Sequence, residues 1–184
     1  MKTLNFKKTF KNKKIIVTGH TGFKGAWLTF WLKRFGANIL GISYNLRTKP
    51  SIFNTLNLKK GIKSKNLDVR NLKKLRKTIN NFQPDFVFHL AAQSLVKKSY
   101  LDPLYTFETN SLGTLNVLES LKDLKKKCNV VLITSDKSYK NLELKRGYKE
   151  NDILGGVDPY SASKACAELI IHSQVNSYFK KGDK

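Results

Sequence analysis

The first 67 residues contain no aspartate or glutamate, and the whole 184-residue chain sets only 13 acidic side chains against 35 lysines and arginines, a net charge of +22. Cysteine is nearly absent too. Cys128 and Cys166 make neither a disulfide framework nor a metal-ligand spacing, which excludes a stapled secreted scaffold and a zinc module and points to a reducing, cytoplasmic setting. No apolar run approaches the length of a membrane span. The lysine-rich start, Met1 to Lys14, lacks the apolar centre of a secretory signal. The acid deficit raises the question of nucleic-acid binding, but the lysines are scattered, with no interleaved aromatics and no known nucleic-acid motif. Compositional drift on solvated faces is the simpler account, and a basic surface would still attract diphosphates.

Glycine is present where a turn needs it. The β-branched run Ile15 to Thr18 meets Gly19, Gly22 and Gly25, after which Ala26, Trp27, Leu28, Phe30, Trp31 and Leu32 follow with helical spacing. Strand, tight turn and helix together make a cradle in which a pyrophosphate sits over the unpaired N–H groups of the first helical turn. Gly19 allows the sharp turn, Gly22 lets backbone approach the phosphates, and Gly25 lets helix and strand pack closely. A glycine-rich turn without a ligand would have the same composition, but its place after the first strand of an alternating pattern favours the cradle. The spacing G-x-x-G-x-x-G resembles the short-chain dehydrogenase/reductase superfamily, in particular its extended, nucleotide-sugar-modifying branch.

Asn38 to Ser43 reads as a second strand, Ser64 to Val69 as a third, Phe86 to Ala92 as a buried fourth and Val130 to Ile133 as a fifth. Asn71 to Phe82 is an amphipathic helix with Leu72, Leu75, Ile79 and Phe82 on one face; Pro103 to Lys122 and Tyr160 to Tyr178 are longer helical patterns. The alternation predicts one α/β domain over 1–184, a Rossmann-like doubly wound parallel sheet. Where NAD sites carry an acid after the second strand, this chain has Ser43, Tyr44 and Asn45 with Arg47 nearby, which opens the door to NADP. Asp68 could accept from an adenine amino group, with Val69 offering its backbone, or could be a helix N-terminal residue ahead of Asn71.

The fifth strand runs out into Thr134, Ser135, Asp136 and Lys137, at the carboxyl edge where open α/β sheets bind ligands. Tyr160 and Lys164 stand four apart and share a helix face. The ammonium can lower the phenol pKa so that Tyr160 acts as a base toward a sugar hydroxyl, and Lys164 can also bind the nicotinamide ribose. By itself Y-x-x-x-K is commonly an exposed helix pair; together with the glycine turn and the polar strand end it becomes specific. His20 and His89 read as a motif residue near the cofactor and a packed strand residue, not as acid–base groups.

The segments Gly19 to Leu28, Phe88 to Gln93, Thr134 to Lys137 and Gly155 to Ala165 resemble motifs of the CDP-glucose 4,6-dehydratases, over that family's N-terminal cofactor lobe. The resemblance implies NAD rather than NADP as cofactor, CDP-glucose as substrate, and a redox-neutral elimination. In it Tyr160, assisted by Ser135, takes the C4 hydroxyl proton, and Asp136 protonates the departing C6 hydroxyl. Lys137 stands where a related branch has its C5 base, and is either that base or a ligand-anchoring lysine. Thr21, Gly22 and Phe23 would offer backbone contacts to the diphosphate. Leu90, Ala91 and Ala92 would line the cofactor, Asn110 would lie near the pyrophosphate or nicotinamide end, and Lys97, Lys98 and Ser99 would lie on the approach to the sugar. The family pattern continues beyond the Tyr-x-x-x-Lys helix. The expectation is therefore an incomplete sheet without its C-terminal substrate lobe, an exposed edge strand, and a homo-oligomer or partner chain supplying the rest. Another epimerising or redox member of the superfamily, or a non-catalytic dinucleotide-binding module, are the alternatives.

Overall fold

Ile15, Ile16 and Val17 are wholly buried, because their strand is the middle of a sheet covered on both faces. The computed structural model describes residues 5–45 and 49–179; Arg47 and residues 180–184 lie outside the described residues. Five parallel strands, β1 (Lys14–Thr18), β2 (Asn38–Ser43), β3 (Lys63–Asn66), β4 (Phe86–His89) and β5 (Asn129–Leu132), pair in the order β3-β2-β1-β4-β5. The order reverses between β2-β1 and β1-β4, which leaves a crevice at their carboxyl ends.

The helices are α1 (Phe6–Phe10), α2 (Phe23–Arg34), α3 (Ile52–Thr55), α4 (Leu72–Phe82), α5 (Val96–Leu101), α6 (Pro103–Phe107), α7 (Gly113–Leu121) and α8 (Pro159–Gln174). The period-two alternation of β1 divides its side chains between two cores. Ile16 joins Leu75 and Ile79 of α4 and Val117, Leu118 and Leu121 of α7. Ile15 and Val17 pack with Leu32 of α2, and Phe10, Phe86 and Phe88 close that side. Asn71 starts α4 by accepting the Lys74 N–H at 3.0 Å, and Gln83 ends it in the left-handed conformation.

Two boundaries differ from the sequence expectation for a physical reason. The third strand was expected to reach Val69, but pairing stops at Asn66, and Leu67, Asp68 and Val69 turn over the carboxyl edge. The fourth is expected to reach Ala92, but the strand ends at His89: the Leu90 N–H still reaches the Thr18 carbonyl at 3.1 Å, and the Ala91 N–H turns instead to Thr18 Oγ1 at 3.2 Å. The helical pattern from Pro103 is likewise interrupted. A π turn, Glu108–Leu112, joins α6 to α7, and another, Val175–Phe179, extends α8.

Candidate active site

Gly19 closes the turn at the end of β1 with φ +74°, a conformation side chains resist, and a Cβ there would lie 2.7 Å from the Ala91 nitrogen. A Cβ on Gly25 would lie 2.1 Å from the Gly19 carbonyl oxygen, so only glycine lets α2 start this close to the turn. Gly22 is the N-cap of α2 and has no side chain to satisfy the first-turn N–H groups, which face the crevice end of the sheet. This fits a diphosphate: backbone donors, a helix N-terminus, and Phe23 and Lys24 exposed beside it. Thr21 approaches the turn from the other side, its N–H 3.3 Å from Ser43 Oγ.

His20 is built into this turn as a brace. Its Nδ1 is 2.8 Å from Ser43 Oγ and its Nε2 2.8 Å from Ser64 Oγ, so one ring ties the turn after β1 to the last residue of β2 and to the first half of β3. A Cβ on Gly41 would meet the ring at 2.3 Å. Burial lowers its pKa, partly countered by a hydrogen bond to the Ile42 carbonyl.

Beyond the end of β3, Tyr44, Asn66, Leu67, Asp68, Arg70, Asn71 and Lys74 line an open cleft. Asn71 caps α4, and Asp68 shapes the turn ahead of it, its Oδ1 accepting the Arg70 N–H at 2.9 Å and its carbonyl the Asn71 N–H at 3.1 Å. The Asp68 carboxylate is gripped by Arg70, through Nε at 3.0 Å and Nη2 at 2.8 Å, while Arg70 Nη1 reaches Glu108 Oε2 at 2.9 Å and its guanidinium lies over the Tyr105 ring. Val69 is buried, and its carbonyl accepts from Asn116 Nδ2 at 3.0 Å.

At the end of β5, Ser135 Oγ accepts the Lys137 N–H at 3.2 Å and donates to Asp136 Oδ1 at 3.2 Å, and a short 3-10 turn, Asp136–Ser138, packs against α8. Asp136 and Lys137 are exposed and Ser135 is half-buried. A C5 base would have to be the neutral amine, which burial favours, and Lys137 is exposed. Asp158 starts α8 by accepting the Ser161 N–H at 3.0 Å, which sets Tyr160 in its first turn. The Tyr160 N–H donates to Ser99 Oγ at 3.1 Å, so Ser99, wholly buried, holds the helix rather than facing a substrate. Lys164 is 6% exposed and points its Nζ at the Ile133 carbonyl, 3.4 Å away.

Asn110, expected beside the cofactor, is 1% exposed and its carboxamide is fully engaged inside the protein. Oδ1 accepts the Gln93 N–H at 2.8 Å, and Nδ2 donates to the Gln93 carbonyl at 3.0 Å and to Ser163 Oγ at 2.9 Å. Sequence reasoning also missed Glu168. It stands four residues beyond Lys164 on the same helix face and accepts a short hydrogen bond from Thr134 Oγ1, tying α8 to the end of β5. The extension of Y-x-x-x-K to Y-x-x-x-K-x-x-x-E was the signal that could have found it.

Residues 16–179 match the GDP-mannose 4,6 dehydratase family. The chain is 46% identical over 173 residues to the CDP-glucose 4,6-dehydratase of Salmonella typhimurium, which covers 94% of this chain and 48% of that protein. An epimerase from Methanothermobacter thermautotrophicus superposes with a TM-score of 0.80 at 27% identity, over 94% of this chain and 50% of the other. The UDP-glucose 4-epimerase of Thermus thermophilus, solved in complex with NAD, does so with a TM-score of 0.76 at 29% identity, over 90% and 52%. The chain thus spans about half the length of these relatives. From within β1 to the π turn that extends α8, sequence and fold agree, and the chain belongs to the GDP-mannose 4,6 dehydratase family.

Proposed function

We propose that this chain is the cofactor-binding half of an NAD-dependent nucleotide-sugar 4,6-dehydratase whose substrate is CDP-glucose. The observation that carries the reading is the glycine cradle at the end of β1 and the Tyr160–Lys164 pair on α8, in a chain so similar to a CDP-glucose 4,6-dehydratase. The Gly19, Thr21, Gly22, Phe23 and Gly25 backbone would hold the diphosphate. Asp68 and Val69 would face the adenine, and Leu90, Ala91 and Ala92 would line the middle of the dinucleotide. NAD is preferred to NADP because Arg70, the described guanidinium in the adenosine-side cleft, is already engaged by Asp68 and Glu108. When bound, the nicotinamide supplies the hydride acceptor for C4 and the donor for C6.

The chain's own residues handle protons. Tyr160, one turn before Lys164 on α8, takes the proton of the C4 hydroxyl with Ser135 assisting. The ketone so formed acidifies C5; its proton passes to a general base while Asp136, as the carboxylic acid and open to solvent and substrate, gives its own to the C6 hydroxyl, which leaves as water. Lys137 is either that base, as the neutral amine, or an anchor for the substrate. The resemblance assigns most sugar-nucleotide contacts to the half of the relatives that this chain does not span. The free thiols Cys128 and Cys166 suit a cytoplasmic enzyme.

The test is to load the purified chain with NAD and CDP-glucose and look for the 4-keto-6-deoxy product by mass. Product that disappears in Tyr160→Phe, with NAD binding retained, supports the full reading. NAD binding without product supports a dinucleotide-binding module alone, and failure to bind NAD overturns the reading.

A further inference from the structure

His89 ends β4 between the two parts of the candidate site, 2% exposed and bonded at both ring nitrogens. On one side, Thr18 Oγ1 accepts the N–H of Ala91 and shares that of Leu90 with its own residue's carbonyl. With its lone pairs so engaged, its single proton is left for His89 Nδ1, 2.7 Å away. On the other side, Thr114 Oγ1 gives its proton to the Asn110 carbonyl at 2.7 Å and can only accept from His89 Nε2–H, at 3.2 Å. Both ends demand the same tautomer, and every donor in the chain points the same way, from the backbone beside Gly19 toward Asn110. Asn110 passes the connection to Ser163 Oγ, which donates to the Tyr160 carbonyl at 2.7 Å, and Ser111 Oγ adds a bond to the Ser163 carbonyl at 2.9 Å.

We propose that His89 is a positioning residue: the link that holds the Gly19 turn and the Tyr160–Lys164 helix in one register through this hydrogen-bond chain. A dinucleotide that touches both places reacts only if their separation is held to a fraction of an ångström, and a buried, fully satisfied polar chain is how two separate elements are held so. The ring does this as a neutral group. Burial, and secondarily the positive charge of Lys164 on α8, push its pKa down to about 3, and its other neighbours in the chain, Thr18 and Thr114, carry no charge. The inference rests on the proposed cofactor only for what the two places bind.

Two measurements test it. In a long-range 1H–15N spectrum of the imidazoles, assigned by the loss of one ring in His89→Gln, His89 should be protonated at Nε2 and bare at Nδ1, unchanged from about pH 7 to about pH 5. The opposite tautomer, or titration in that range, overturns the proposal. The second is a double-mutant cycle on NAD affinity with Thr18→Val and Thr114→Val. Each single change should weaken binding about tenfold and the pair little more, because either one breaks the same chain. Losses that multiply to about a hundredfold, or no loss from either change, overturn the linking role. If the unaltered chain binds no NAD, the proposed function falls, and the tautomer alone decides for or against the His89 chain.

Discussion

Lys164 and His89 are buried ionisable groups, and burial lowers the pKa of both. Burial pushes the Lys164 ammonium down to about 8, with Glu168 opposing the shift and Lys24 adding to it. Glu168→Gln should therefore move the Lys164 titration below that value, read from the Cε resonance of labelled lysine; an unmoved or upward-moving titration would show that Glu168 acts only as the partner of Thr134. For His89 the folded pKa lies below the ordinary value of 6.5, at about 3. Between those values the unfolded chain takes up a proton that the folded ring refuses. The stability contributed by the neutral ring is thus intact above about pH 6.5 and drains away as pH falls, by about 1.4 kcal/mol per pH unit for one proton. Urea midpoints should fall as pH is lowered across this range, and His89→Phe should flatten the slope while lowering stability near neutrality. An equally steep slope in the variant would assign the acid sensitivity to other groups.

At the scale of elements, the turn between β1 and α2 has the least freedom. Gly25→Ala sets a methyl 2.1 Å from a backbone oxygen rather than from a side chain that could swing away. The change should cost about 1–3 kcal/mol of stability by overpacking. It should also weaken NAD binding by at least tenfold, while Gly147→Ala, where a Cβ meets nothing within 4 Å, should leave both unchanged. Calorimetric melting and NAD titration of the two variants check this, and equal behaviour would mean that α2 can move away from β1. Elements with strong local patterns were legible before the fold was: Asn38–Ser43 was read to the residue, and α4 was read with its apolar face intact. The π turn at Glu108–Leu112 is not, since one widened turn is too short to stand out from the α-helical pattern on either side of it. It exists because Thr109, Asn110 and Ser111 are buried against α8.

At the scale of the whole molecule, the described residues place β5 at one side of the sheet. Among the described residues that strand is an edge, and Val131 and Ile133 remain 42% and 39% exposed. Unpaired backbone beside apolar side chains is a template for association. Sedimentation should show concentration-dependent self-association of the isolated chain, relieved by Ile133→Lys. A sharp monomer boundary with a high melting temperature would mean that the edge is already protected. The charge of +22 does not by itself oppose this, since repulsion between scattered lysines is screened at physiological salt.

Sequence alone determined the alternation of strands and helices, the glycine turn and the placing of Tyr160 and Lys164 one turn apart on a single helix, because each is written in local spacing: two for strands, three to four for helices, and glycine where no side chain fits. Only the tertiary structure decided what Asp68, Ser99, Asn110 and Glu168 touch, where β3 and β4 leave the sheet, and that His89 joins two threonines 96 positions apart in the chain. Those outcomes depend on which donors meet which acceptors once distant segments are packed and water is excluded. A buried polar group must find its partner wherever the fold has brought one, and no spacing along the chain encodes that choice.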